Sequence, residues 1–140
     1  MLFYPSRFRF IAILSGLNLQ GDSTHGDFGT LELALSWLTG EAGGLDDQER
    51  MAAIERVIIA GNSLAEETRD KEESKAKYLT KNKEATSIEA INALDNVLER
   101  LAGSVTVHPM PGANDPANQS WPQQPLHKCL FPSKLKDPSI

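Results

Sequence analysis

The sequence predicts an α/β protein with parallel strands, and three observations carry the prediction. Apolar, partly β-branched runs at residues 8–14, 57–60 and 105–110 have the length and composition of buried strands. Each run ends in a glycine turn: Ser15-Gly16, Gly61-Asn62, and Pro111-Gly112 followed by Asn114 and Asp115. Helical patterns separate the runs. The order strand, helix, strand, helix, strand favours parallel strands joined by right-handed crossovers. In such folds the loops at the carboxyl ends of strands build the sites, and a glycine there lets the backbone turn sharply or approach closely.

The elements follow in order. Residues 1–9 carry no regular pattern. Arg7 and Arg9 ahead of residues 10–14 outline a signal peptide only weakly, because the apolar run is short and no small-residue cleavage site follows. The stretch reads instead as the first buried strand. Gly21, Asp22, Ser23, Thr24, Gly26 and Asp27 mark a loop. Leu31, Ala34, Leu35 and Leu38 then fall at i, i+3, i+4 and i+7, with Trp37 alongside, and Gly40 stops the helix. Residues 45–54 have helical character, with Asp46 and Asp47 at the start, where the helix dipole favours acids.

After the second strand, residues 64–84 are rich in Glu and Lys. They read as a solvated loop with some helix, anchored by Tyr78-Leu79. Charges of both signs are mixed there, so it is not a basic patch. Thr86 and Glu89 have capping-box spacing for the clearest helix, striped by Ile91, Leu94, Leu98 and Leu101 and ended by Gly103. Beyond Pro116 the prolines at 122, 125, 132 and 138 forbid a long helix or a central strand. The segment is expected to lie extended over the domain. Residues 133–140 read as a ragged end.

Bulk properties set the class. The chain has 140 residues, 40% hydrophobic and 24% charged, which is enough for one domain of ordinary size. A formal net charge of −5 gives no general attraction to nucleic acid or anionic membranes. No apolar run approaches the ~20 residues of a membrane span. The single cysteine, Cys129, cannot form an internal disulfide, and no partner base marks it as a nucleophile. His25, His108 and His127 match no metal-ligand spacing. Asn118-Gln-Ser120 fits a glycosylation acceptor by chance-level pattern. Trp37 and Trp121 read as core or interface packing.

The strand ends invite comparison with a dinuclear metal phosphoesterase. Such an enzyme needs carboxylates, histidines and an amide converging on two metals. Its signature is D-x-H, then G-D-x-x-D, then G-N-H-D/E. Here the first end reads Ser15-Gly16-Leu17, the second Gly61-Asn62-Ser63-Leu64-Ala65, and the third Gly112-Ala113-Asn114-Asp115. An amide replaces the bridging carboxylate, and Asp115 by itself cannot hold a hard cation. Catalysis at these positions is not expected, and no cofactor or metal is expected either. The tight turns themselves account for the glycines.

Four segments carry a family resemblance. They are Arg56-Val-Ile-Ile-Ala-Gly-Asn-Ser-Leu64, Lys75-Ala-Lys-Tyr-Leu-Thr-Lys81, Met110-Pro-Gly-Ala-Asn-Asp-Pro-Ala-Asn118 and Pro122-Gln-Gln-Pro-Leu-His-Lys-Cys-Leu-Phe-Pro132. They closely resemble the B-subunit family of the eukaryotic replicative DNA polymerases, and the delta small subunits rather than their alpha and epsilon counterparts. The resemblance runs over residues 10–132. It implies an inactive, partial calcineurin-like phosphoesterase β-sandwich flanked by helices, following an OB-fold. It also implies a nuclear, non-catalytic scaffold in DNA replication. That scaffold binds the C-terminal metal-containing domain of the polymerase catalytic subunit and the third, clamp-binding subunit, and meets DNA only indirectly. Ser15, Leu17, Asn62, Gly112, Asn114 and Asp115 would then be vestigial ligand positions. The family's OB-fold and the second half of its phosphoesterase domain have no counterpart in residues 1–140. An incomplete sheet predicts unpaired edges and weak independent stability. Two other readings are a metal-dependent phosphoesterase with atypical ligands and a truncated product with no function of its own.

Overall fold

The computed structural model describes residues 8–20, 28–66, 80–118 and 120–131. Three parallel strands form one sheet in the order β1-β2-β3: β1 (Phe10–Leu14), β2 (Ile54–Ala60) and β3 (Thr106–Met110). Helices α1 (Phe28–Leu38) and α2 (Leu45–Met51) lie between β1 and β2, and α3 (Thr80–Ala102) lies between β2 and β3. The strand–helix alternation and the parallel pairing match the expectation from sequence.

One face of the sheet makes the core. Val57 and Ile59 of the central strand align with Ala12 and Leu14 on one side and with Val107 and Pro109 on the other. Val57, Ile59 and Val107 have no solvent exposure. Against them pack Leu94, Leu98 and Leu101 of α3 and Leu35 and Leu38 of α1, with Met51 of α2 in the same cluster. In α3 the residues 90, 94, 97, 98 and 101 share one face, the spacing a helix needs to present a continuous apolar stripe. α1 packs against α3, so both crossovers cover the same side of the sheet.

The other face is open. It carries Ile11, Ile13, Ile58, Ala60 and Met110, with Arg56 and His108 bonded to each other at 2.7 Å. Ile13 is 68% exposed and Ile11 is also exposed. The expectation that the first run is a buried strand is therefore corrected. Side chains alternate across a strand, so a sheet covered on one face buries only every second residue. Ala12 and Leu14 face the core, while Phe10, Ile11 and Ile13 are exposed.

Other boundaries shift for local reasons. β2 begins at Ile54, so residue 54 belongs to the strand and α2 stops at Met51. α3 begins at Thr80, which places Thr86 inside the helix rather than at its cap. The Lys, Glu and Ala of residues 81–85 are good helix formers and extend it backward. Ala34 and Trp37 are exposed on α1, because Leu31, Leu35 and Leu38 already fill the contact with the sheet and α3. Gly103 follows α3 as expected, its N–H donating to the Glu99 carbonyl.

The proline-rich segment does lie over the domain. Leu126 and Phe131 join the core, and Lys128–Leu130 form a single 3-10 turn. Trp121 is 100% exposed and so takes no part in the core, one of the two roles expected of it. Tyr78, Leu79, His25 and residues 133–140 lie outside the described residues.

Arg100 ties the helices together on the surface. Its guanidinium pairs with Glu32 of α1 and with Glu41 in the turn after α1, and donates to Ser36 Oγ at 2.8 Å. The Glu41 and Glu32 hydrogen bonds raise its pKa above the ordinary arginine value. Arg100→Gln is expected to lower the melting temperature, with a smaller effect in high salt. A melt insensitive to the change would show the network to be dispensable. Leu98→Ala is expected to cost about 2–5 kcal/mol in chemical denaturation, because it opens a cavity beneath the sheet. Ile13→Lys, on the open face, is expected to change stability by no more than about 0.5 kcal/mol.

Candidate functional site

The three strand ends meet through the backbone. The ladder between the first two strands continues past them: Gly16 N donates to Gly61 O at 3.1 Å, and Leu19 N donates to Ser63 O at 2.9 Å. Ala65 N returns the bond to Leu19 O at 3.1 Å, closing a parallel bridge between Leu19 and Leu64. Ser15 Oγ donates to the Ala60 carbonyl at 3.0 Å, while Leu17 packs against the core.

The second and third ends touch directly, and glycine makes this possible. A Cβ on Gly61 would sit 2.8 Å from Gly112 Cα, and one on Gly112 would sit 2.2 Å from Asn62 N. No other residue fits such an approach. Gly61 and Asn62 both adopt positive φ, at 80° and 52°. Asparagine tolerates this left-handed conformation better than most residues.

Asp115 locks the contact. The residue is 6% exposed, and its carboxylate accepts from two backbone N–H groups, Leu64 N at 2.9 Å and Gly112 N at 2.7 Å. One bond closes its own turn, and the other reaches across to the loop after β2. Asn62 Oδ1 accepts from Asn114 N at 3.4 Å, a weaker tie in the same direction. The acid at the end of the third strand is thus engaged by backbone donors. Nearby, the Ser63 hydroxyl is buried and has no hydrogen-bond partner among the described residues.

Of the six positions singled out in the sequence, Asn62, Gly112, Asn114 and Asp115 come together in one interlocked pair of loops. Ser15 joins through the carbonyl of Ala60, and Leu17, half-buried, packs against the edge of the hydrophobic core. Among the described residues no three His, Cys, Asp or Glu side chains are grouped to hold a metal ion. His108 lies on the open sheet face beside Arg56, and His127 accepts through Nδ1 from Cys129 N at 3.3 Å. Cys129 is a free, exposed thiol. The clamp role of Asp115 was missed in the sequence. Its signal there is an acid three residues after a turn glycine, the spacing at which a carboxylate can reach back to the glycine N–H.

Fold and loops together define an α/β protein whose strand-end loops are joined by backbone and carboxylate hydrogen bonds. Residues 11–138 match the family model for the B-subunit of DNA polymerases alpha and epsilon, and the chain belongs to that family. Among curated proteins it is 36% identical over 124 residues to the DNA polymerase delta small subunit of Arabidopsis thaliana, covering 89% of this chain and 27% of that protein. It is 35% identical to the corresponding protein of Oryza sativa subsp. japonica over 125 residues, covering 88% of this chain and 28% of the relative. It is also 35% identical to the second subunit of DNA polymerase delta from Drosophila melanogaster over 127 residues, covering 90% and 28%. The chain spans about a quarter of the length of these relatives.

Asp115→Ala is expected to cost about 2–3 kcal/mol, because it leaves two backbone donors without their charged acceptor. Ser63→Ala, close by in the loop after β2, is expected to be neutral or stabilising by up to about 1 kcal/mol, because it removes a buried hydroxyl that lacks a partner. Urea titrations of both variants check the pair. Equal losses at the two positions would contradict the clamp.

Proposed function

We propose that this chain is the phosphoesterase-like part of a DNA polymerase delta small subunit and acts as a non-catalytic scaffold in nuclear DNA replication. The observation that carries the reading is the similarity to delta small subunits over nearly the whole chain. The strand ends support it from the chemical side. Where a dinuclear phosphoesterase would place its ligands, this chain has Ser15, Leu17, Asn62, Gly112 and Asn114. The acid there, Asp115, holds two backbone N–H groups instead of facing an open site. A divalent cation needs several anionic or imidazole donors in one cage. On this reading the six positions are vestigial, and the loops keep their shape through hydrogen bonds where the enzyme would use metal.

The open sheet face supports a calcineurin-like sandwich. Exposed Ile11, Ile13 and Met110 opposite a packed face are what one layer of a two-sheet structure presents before the second layer covers it. The partners of the scaffold are the C-terminal domain of the polymerase catalytic subunit and the third, clamp-binding subunit, with DNA reached only through the complex. The net charge of −5 agrees with indirect contact.

Co-elution of the 140-residue chain with the C-terminal region of a delta catalytic subunit on a sizing column tests the scaffold. A stable complex is expected. Failure to co-elute under conditions where a full-length small subunit binds would remove the scaffold role from these residues. Incubation with manganese and a chromogenic phosphodiester is expected to give no turnover above the metal blank. Turnover abolished by Asp115→Asn would replace the scaffold reading with that of an active phosphoesterase.

A further inference from the structure

We draw no further inference here: the strongest candidate, the open sheet face bearing Ile11, Ile13, Ile58 and Met110, is an unpartnered apolar surface, and nothing in the structure shows what covers it beyond the sandwich layer already proposed.

Discussion

Burial of Val57 and Ile59 in one cluster with the leucines of α3 is the packing on which the other arrangements depend. The central strand pairs with both neighbours, so its inward face sets the level at which Ala12, Leu14 and Val107 also meet the core. Leu94, Leu98 and Leu101 complete that layer from the helix side. Removing water from these side chains provides the main drive for folding, at roughly 25 cal/mol per Å² of apolar surface. Arg100 then fixes where α1 lies on α3, but it sits at the surface and serves orientation more than stability.

The strand-end loops inherit their position from this core. Once β2 and β3 are paired in register, Gly61 and Gly112 are brought into backbone contact. The polar groups exposed by two sharp turns then need partners away from water. The Asp115 carboxylate supplies one to Leu64 and one to Gly112. The loops are therefore specified by glycine for space and by a carboxylate for hydrogen bonds. This arrangement gives a structural reason for each of Gly61, Gly112 and Asp115. The family membership and the loop chemistry are independent observations.

Much of the architecture was legible in the residues. The three apolar runs, the helix striped by Leu94, Leu98 and Leu101, and the strand–helix alternation were readable because hydrophobic periodicity is a local property. Errors fell where the answer depended on what lies across the fold. The first run looks uniformly apolar, and composition cannot reveal that only one of its faces is covered. Ala34 and Trp37 fall on or beside the apolar stripe of α1, yet both are exposed. Thr86 and Glu89 have the spacing of a cap, but the helix formers before them extend the helix past it.

What the sequence determined by itself is the set of strands and helices and their order. Each of these follows from residue type and spacing along the chain. Tertiary structure decided which face of the sheet is buried. It also decided that Arg100 reaches Glu32 and Glu41, and that Asp115 reaches across to Leu64. Those partners lie 51 or more residues away for Leu64, Glu32 and Glu41, so no local pattern encodes them. They exist only once the parallel pairing of β2 and β3 and the packing of α1 on α3 have brought distant segments together.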